Sequence, residues 1–399
     1  MNDISNVKTV KRNCPLCFIN KGLILHTQEF VIPERYPIPK SYDIVECQKC
    51  GFVYADTSAR QADYDRFYTE LSKYEDKSTA SGGGDKVYDA QRLKQTALDI
   101  QKVLSDKSAS ILDIGCGNGG LLYALKLNGY NKLIGLDPSR KCVLNVLKQG
   151  ITAVAGNIFS ATFDAQFDCI ILSHVLEHIY DLQKAIRNVT SWLRVGGILY
   201  IEVPDASRYS DYYIVPYYYF DIEHINHFDE YSMNNLVLSH NLICILSSRK
   251  ELTVSDSTNY PAFYAIYKKN GGQTANREAV PGFDVGESVR KYIEISKKHD
   301  NWPDLKELSE NGEPIVVWGA GSFTQRLLKN TDLSKCNITA FVDKDSKKQG
   351  LTINNVKIHP PTILKKHTGP IVICSAVYSN EIVEEIKDMG LKNHVIVIK

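Results

Sequence analysis

The sequence predicts an α/β protein in which two parallel-sheet domains follow a small cysteine-rich head. Two CxxC pairs stand in the first 55 residues, and the order strand, glycine turn, helix, strand occurs twice, from residues 108 and 313 onward. Alternating strands and helices imply doubly wound parallel sheets. We expect a head over 1–60, a first α/β domain over 61–268, a linker with a helix over 269–313, and a smaller α/β domain over 314–399.

The composition excludes several classes of protein. Lys and Arg total 47 against 46 for Asp and Glu, so there is no positive excess of the kind that binds nucleic acid or anionic membranes. The N-terminus lacks the apolar region of a signal peptide, and no segment has the roughly 18 apolar residues that a membrane span needs. We therefore expect a cytoplasmic protein with neither nucleic acid nor membrane as a partner.

The head predicts a structural zinc site. Cys14 and Cys17 form one CxxC pair, and Cys47 and Cys50 form the other. Four thiolates can bind Zn²⁺ tetrahedrally and help a short segment to fold, and a site closed by four cysteines leaves no position for catalysis. The alternatives are a redox CxxC, which a doubled motif disfavours, and unrelated core cysteines.

Helices and strands of the first α/β domain are visible as apolar patterns. Two helices, in "DYDRFYTELSKYED" and "KVYDAQRLKQTALDIQKVL", flank the flexible "STASGGGD". Beyond the first βαβ unit we expect strands at "FDCIILSHV" and "GGILYIEVP", the helix "DLQKAIRNVTSWLR" between them, and closing strands at "LICILSSRK" and "YPAFYAIYKK". Together these segments predict one sheet.

The glycine turn of this domain predicts a cofactor site. Gly115, Gly117 and Gly119 lie in a GxGxxG pattern, and Asp137 closes the next strand, so an NAD fingerprint is formally present. Asp113, two residues before the first glycine, would repel a pyrophosphate but attract a cationic amino-acid group. The residues therefore favour a ligand other than NAD, and a degenerate turn without a ligand is a further alternative.

Downstream motifs add a family resemblance. "GNIF", "FDCIILSHVLEH" and "LRVGGILYIEVP" follow the glycine turn in order, and with it they resemble the class I S-adenosylmethionine (SAM) methyltransferases over about residues 90–268. The resemblance implies a Rossmann-like sheet with SAM at its carboxyl edge. It implies these SAM-binding residues: Asp113, Gly115, Gly117, Gly119, Asp137, Pro138, Asn157, Ile158, Ser173 and His174.

Two histidine-containing stretches allow more than one interpretation. His174 to His178 spells HxxEH, an inverted zinc-protease signature that needs a helix, whereas here it leaves a buried strand. The stretch "YYYFDIEHINHF", 217–228, lies in an insertion after strand five, where it should cover the substrate side of the cofactor. Its His224-x-x-His227 is a weaker metal candidate, and its tyrosines suit either core packing or stacking on a substrate ring.

The complete chain resembles the bacterial sugar C-methyltransferases, which combine a four-cysteine head, a class I methyltransferase core and a C-terminal Rossmann-like domain. The resemblance implies Glu223 and His224 as the catalytic pair, His178 as an assisting histidine and Tyr74 as the tyrosine behind the head. The sequence departs from the family at Asp221, where tyrosine is usual, at "DSTNYPAFYAIY" and at "WGAGSFTQ".

The implied reaction is SAM-dependent C-methylation of a nucleotide-linked keto-sugar, with His224 as general base. O-methylation of a sugar hydroxyl is the nearest alternative, and a zinc hydrolase and a non-catalytic binding module are more distant ones. In the last domain Gly319, Gly321 and Asp343 either bind the nucleoside diphosphate or belong to a purely architectural domain. We expect a monomer or a homodimer.

Overall fold

The structure is a computed structural model that describes residues 7–75, 82–272 and 284–399. Half of the predicted "STASGGGD" segment, 78–81, and part of the predicted linker, 273–283, lie outside the described residues. The described chain forms three sheets, of five, seven and six strands.

The head is an antiparallel sheet that is completed by another part of the chain. Its own strands are β1 (Val7–Thr9), β2 (Lys21–Glu29), β3 (Ser41–Cys47) and β4 (Val53–Asp56). The fifth strand is β10 (Asn226–His227), which pairs antiparallel with β4. The head therefore shares its sheet with the insertion that follows the fifth strand of the first α/β domain.

The first α/β domain forms the seven-stranded sheet. Its elements are α1 (Gln61–Leu71), α2 (Val87–Gln101), β5 (Ser110–Ile114), α3 (Gly120–Leu127), β6 (Lys132–Asp137), α4 (Arg140–Lys148), β7 (Thr152–Ala155), β8 (Phe167–Ser173), α5 (Leu182–Trp192), β9 (Leu193–Pro204), α6 (Glu230–Val237), β11 (Leu242–Ser255) and β12 (Thr258–Lys269). The strand order is β11-β12-β9-β8-β5-β6-β7, with β9 to β7 parallel and the β11–β12 hairpin antiparallel. The predicted helices, the βαβ unit and the closing strands are all confirmed.

The smaller domain forms the six-stranded sheet. It comprises β13 (Ile315–Trp318), α9 (Ser322–Asn330), β14 (Ile338–Val342), β15 (Thr352–Ile353), β16 (Val356–His359), β17 (Ile371–Ile373), α10 (Ser379–Asp388) and β18 (Val395–Val397), and α7 (Asp284–His299) and α8 (Pro303–Asn311) precede it. Five of its strands are parallel, in the order β16-β14-β13-β17-β18. Short 3₁₀ helices occupy Lys73–Glu75, Leu176–His178, Ala206–Arg208, Leu238–His240, Asp332–Lys335 and Pro361–Lys366.

The local sequence explains how β8 and α5 position the site. The centre of β8, "CIIL", is buried, as expected for a parallel strand that is covered by helices on both faces. In α5 the buried Leu182, Ala185, Ile186 and Val189 recur at helical spacing, and the Asp181 side chain caps the helix by accepting from the Lys184 amide. The turn between these two elements therefore lies at the carboxyl edge of the sheet.

Candidate active site

The carboxyl edges of both parallel sheets face one cavity of about 1090 Å³. Its walls come from α1, the glycine turn after β5, the 3₁₀ turn after β8, the glycine turn after β13, and parts of residues 217–228, which we call the histidine loop. The predicted cofactor turn, His178 and His224 and the second glycine turn therefore open into the same space.

The first glycine turn is shaped for close approach of a ligand. Gly115, Gly117 and Gly119 all have positive φ, at 71°, 51° and 82°. A Cβ on Gly115 would meet Val175 Cγ2 at 2.7 Å, whereas a Cβ on Gly117 would meet nothing within 4 Å. Gly117 thus borders open space at the cavity, where a side chain would take the volume of a ligand.

Two buried carboxyl groups stand beside this turn. Asp113 lies at the carboxyl end of β5 and is 3% exposed. Its burial and, to a smaller extent, the charge of Asp137 raise the pKa of Asp113 to about 8. Asp137 accepts hydrogen bonds from the Gly117 and Ser139 amides, both at 2.8 Å, while burial raises its pKa to about 6. Both acids suit a ligand that brings a cation and hydroxyl donors.

Besides Gly115, Gly117 and Asp137, five predicted cofactor residues line the cavity: Pro138, Asn157, Ile158, Ser173 and His174. Asp113 and Gly119, also predicted, are not part of its lining. Asn157 Oδ1 accepts from the Phe159 and Ser160 amides, both at 2.9 Å, so this side chain also fixes its own turn. Ile158, 2% exposed, offers an apolar surface of the kind that packs against a planar ring.

His174 belongs to a buried carboxylate network that the motifs did not predict. Its Nδ1 lies 3.2 Å from Glu177 Oε1 and its Nε2 lies 3.3 Å from Glu202 Oε1. Burial lowers the pKa of His174, but the two carboxylates raise it more, so the net shift is upward. Glu202 also accepts from Tyr200 Oη at 2.6 Å and pairs with Lys250. The signal in the sequence is a lone acid within the apolar run "GGILYIEVP".

His178 and His224 meet in the cavity, although they are 46 positions apart in the sequence numbering. Their rings contact edge to face with centroids 4.9 Å apart. His178 Nδ1 lies 3.0 Å from the Glu223 carbonyl oxygen, which only accepts, so Nδ1 carries the proton of this bond. That bond fixes the His178 ring and directs its Nε2 away from the Glu223 carbonyl.

Glu223 lies behind this pair. Its side chain is 5% exposed and accepts from Tyr68 Oη at 3.1 Å, and the cavity lining contains Tyr68 but not Glu223. The Tyr68 ring also packs on His178 with centroids 5.6 Å apart. Tyr68 is therefore a candidate that sequence reasoning missed. Its signal is the spacing of Tyr64, Phe67, Tyr68 and Leu71 along one face of α1.

Tyr74, the predicted tyrosine, lines the same cavity at the cofactor turn. Its carbonyl accepts from Asn118 Nδ2 at 2.7 Å. The segment behind the head therefore places two tyrosines in the cavity, Tyr68 beside His178 and Tyr74 beside the glycine turn.

The rest of the histidine loop divides between core and cavity. Tyr219 stacks on Tyr209 at 3.9 Å, Tyr217 stacks on His26 of the head at 4.3 Å, and Tyr218 lines the cavity. His227 is fully buried in β10, and burial lowers its pKa to about 3. His227 is thus a core histidine, which removes the predicted His224-x-x-His227 metal alternative.

The HxxEH interpretation also fails in its predicted form. The residues after β8 form a 3₁₀ turn, Leu176–His178, and His174 has a positive φ of 55°. His174 lies between Glu177 and Glu202, whereas the groups near Glu177 that cluster as possible metal ligands are His178 and His224. The two imidazoles of the motif therefore do not form one site.

The second glycine turn repeats the arrangement of the first. Asp343, after β14, accepts from the Ala320 amide at 2.9 Å, and Lys348 Nζ lies 3.1 Å from the same Oδ2. Ser322, the first residue of α9, donates through Oγ to Asp221 Oδ1 at 2.8 Å. Asp221, the residue that departs from the family, therefore links the histidine loop to the N-terminus of α9.

The four cysteines of the head come together as predicted. Cys14 Sγ lies 3.6 Å from Cys50 Sγ, and Cys17 Sγ lies 3.4 Å from Cys47 Sγ. All four sulfur atoms lie within 4.8 Å of one another, a set compatible with a tetrahedral Zn²⁺ site.

Two parts of the chain match known protein families. Residues 88–246 match a family model described as a methyltransferase domain. The chain contains a SAM-dependent methyltransferase domain. Residues 311–397 match a second family model, described as C2185-like, N-terminal. The glycine turn, both acids, the 3₁₀ turn after β8 and the histidine loop all fall within the methyltransferase match.

Curated relatives align only with parts of the chain. The ubiquinone biosynthesis O-methyltransferase of Rickettsia prowazekii is 27% identical over 30% of this chain and 48% of its own length. A probable (S)-tetrahydroprotoberberine N-methyltransferase 2 of Papaver bracteatum is 28% identical over 23% of this chain and 28% of its own length. The chain thus spans less than half the length of these two relatives.

Among solved structures, a Burkholderia thailandensis 1,6-didemethyltoxoflavin-N1-methyltransferase with bound S-adenosylhomocysteine is similar, at 15% identity and a TM-score of 0.41. The similarity covers 58% of this chain and 95% of that one. Within the described residues, no helix combines the length and apolar character needed to cross a bilayer.

The residues of the methyltransferase domain fit SAM. The space at Gly117 admits a ligand close to the backbone. Asp113, whose pKa burial raises to about 8, would be stabilised as a carboxylate by the ammonium group of the methionine moiety. Asp137 Oδ1 and Oδ2 each bind one backbone amide and keep lone pairs for ribose hydroxyls.

Proposed function

We propose that the protein transfers a methyl group from SAM to the carbon next to the ketone of a nucleotide-linked keto-sugar. The observation that supports this best is the shared cavity. The first glycine turn, the pair His178 and His224, and the second glycine turn with Lys348 line it together. A sugar with a nucleotide attached is a substrate long enough to span these three features.

The proposed chemistry needs a base and a donor. Bound SAM supplies the electrophilic methyl group. The proton next to a ketone is weakly acidic, so His224 takes it as general base. The His224 backbone is held in place because its amide donates to the Asp221 carbonyl at 3.1 Å. Tyr74 is the nearby candidate for donating to the developing enolate oxygen, because Tyr68 Oη and His178 Nδ1 already donate to Glu223.

Glu223 has a supporting role in this proposal. Its backbone carbonyl orients the His178 ring, and its carboxylate accepts from Tyr68. Burial, with the charge of Glu223 beside it, raises the pKa of Tyr68 well above the usual value, so Tyr68 keeps its proton and donates it to the Glu223 carboxylate.

The smaller domain is proposed to bind the nucleoside diphosphate. The N-terminus of α9, the turn at Gly319 and Gly321 and the Lys348 ammonium group lie at the cavity wall, where they would attract phosphate. Asp343, which accepts from the Ala320 amide as Asp137 accepts from Gly117, would bind the ribose. The four-cysteine head is proposed to hold one structural Zn²⁺.

O-methylation of a sugar hydroxyl is the second candidate. It is favoured by the curated relatives, which are named as O- and N-methyltransferases. The same His224 would then deprotonate a hydroxyl group, and the rest of the site would serve unchanged.

Deuterium exchange distinguishes the two reactions. The full chain is incubated in deuterated water with S-adenosylhomocysteine and a 4-keto nucleotide sugar. We expect deuterium to enter at the carbon next to the ketone, and we expect His224→Gln to slow this at least tenfold while SAM affinity stays unchanged. His240→Gln is the matched control, since His240 bonds to Gln183 and does not line the cavity. No carbon exchange in this incubation, together with a methyl ether product when SAM replaces S-adenosylhomocysteine, contradicts C-methylation and supports the second candidate.

A further inference from the structure

Three ligating side chains converge on the substrate side of the cavity. Glu177, His178 and His224 each offer a nitrogen or oxygen atom, and these atoms lie within 4.8 Å of one another. All three residues line the cavity, and Glu177 and His178 are 1% and 8% exposed. Of the two such clusters found among the described residues, the other is the four-cysteine set of the head.

The histidine geometry is that of a metal ligand. His178 Nδ1 donates to the Glu223 carbonyl at 3.0 Å, which selects the tautomer with a lone pair on Nε2. Metal-binding histidines characteristically donate their other ring N–H to a carbonyl or carboxylate in this way. His178 Nε2 lies 4.0 Å from Glu177 Oε1. Tetrahedral zinc ligands lie about 3.4 Å apart, so a small side-chain movement brings the pair into range.

Within the part of the chain that the structure describes, the Glu177 carboxylate has an unpartnered oxygen atom that a metal ion would satisfy. Its Oε1 bonds to His174, but its Oε2 is buried and has no hydrogen-bond partner among the described residues. A buried carboxylate oxygen without a donor costs about 1–3 kcal/mol, and native structures usually provide a partner.

We propose that Glu177, His178 and His224 form a second metal site that binds one divalent ion of the zinc or cobalt class. Two imidazoles and one carboxylate are a donor set that Zn²⁺ uses at open sites, where the fourth position is left to water or substrate. Here the fourth position would face the cavity. The site differs from the HxxEH interpretation because His224 of the histidine loop takes the place of His174.

This inference rests on the proposed function only for its effect on activity. An ion at this site takes a lone pair of His224, and the same imidazole cannot then accept a proton from the substrate. Metal binding and methyl transfer by the proposed route are therefore mutually exclusive, and added Zn²⁺ or Co²⁺ should inhibit the enzyme reversibly.

Metal content tests the site independently of the reaction. The full chain, loaded with one equivalent of zinc for the four-cysteine head, is titrated with Co²⁺, and bound zinc and cobalt are measured together with the visible spectrum. We expect one equivalent of Co²⁺ in addition to the retained zinc, with ligand-field bands but without the sulfur-to-metal charge-transfer band of a cysteine site. Loss of one of three ligands in Glu177→Gln or His224→Gln should weaken this binding by about tenfold or more.

The controls separate folding, metal binding and catalysis. His240→Gln, remote from the cavity, should bind Co²⁺ like the unchanged chain, and wild-type SAM affinity in the two ligand variants would show that they fold. No cobalt beyond the amount of zinc it displaces, or equal cobalt binding in all variants, overturns the proposal. If methylation of keto-sugars fails but the extra cobalt binds, the proposed function is wrong and the metal site stands.

Discussion

Arg12 joins the head to both histidine-bearing segments, and its replacement tests whether the head positions the site. The guanidinium group donates to the Ile225 carbonyl at 3.0 Å, the Tyr180 carbonyl at 2.7 Å and Asn226 Oδ1 at 2.9 Å. Ile225 directly follows His224, and Tyr180 lies two residues after His178. Arg12 is 2% exposed, and Ile225 and Asn226 are buried as well.

We expect Arg12→Met to destabilise the protein by roughly 2 kcal/mol or more, because the Tyr180 carbonyl and Asn226 Oδ1 lose this donor at about 1–3 kcal/mol each, whereas the Ile225 carbonyl still accepts from the Ala55 amide at 3.0 Å. Urea unfolding of the full chain measures this. At temperatures where the variant remains folded, misplacing the histidines should lower kcat by about 10²-fold. The KM for SAM should stay unchanged, since the glycine turn does not contact Arg12.

Two variants sharpen the result. Arg12→Lys keeps the positive charge, but a single ammonium group cannot serve acceptors on two loops as a guanidinium does, so we expect an intermediate effect. Arg249→Met is the matched control, because the Arg249 side chain is 66% exposed. If Arg12→Met lost less than about 1 kcal/mol and kept full turnover, the head would not position the histidines and the reasoning would be wrong.

Three further predictions concern the first glycine turn, the acid before it and the head. Gly117→Ala should lose only about 1–2 kcal/mol in a thermal melt, from its positive φ, but should bind SAM much more weakly in calorimetry because the new methyl enters the cavity. Burial and then the charge of Asp137 raise the pKa of Asp113 to about 8, so its carboxyl group is protonated at neutral pH. A cationic ligand lowers that pKa. SAM binding should therefore release a proton, and the affinity for SAM should increase as the pH rises towards 8. Asp113→Asn should abolish this dependence, measured in buffers of different ionisation enthalpy. Cys47→Ser should lose the proposed zinc and, with it, methyl transfer, as metal analysis and assay will show.

The sequence predicted those parts of the fold that depend on local pattern. Apolar runs such as "CIIL" in β8 and helical spacing in α5 reveal their elements because burial repeats along the chain. The cysteine pairs predicted their own convergence for a different reason: each CxxC pair supplies two thiolates, and a tetrahedral Zn²⁺ site takes four. β10 was not predicted, because two residues, Asn226 and His227, are too few to show a strand period.

The candidate site was predictable in part. Motif order predicted that the cofactor candidates share one edge, because the carboxyl ends of parallel strands do, and eight of the ten candidates line the cavity. Tyr68 was missed because the periodicity of α1 shows which face is buried, but not which residue of that face reaches the cavity. The separation of His174 from His178 was also hidden, since it depends on the φ of His174 and on Glu202, a residue from another strand.

The composition of the histidine loop follows from its position between three units. On one side, Asn226 pairs with β4 of the head and accepts from Arg12. On the other side, Asp221 accepts from Ser322, and the Tyr217 carbonyl accepts from Arg326 of the smaller domain. The loop's aromatic rings fill the space between these anchors, and its polar groups form the anchors themselves. A loop held from both sides places His224 with little freedom, which suits its proposed role as a base that must meet one carbon or oxygen atom.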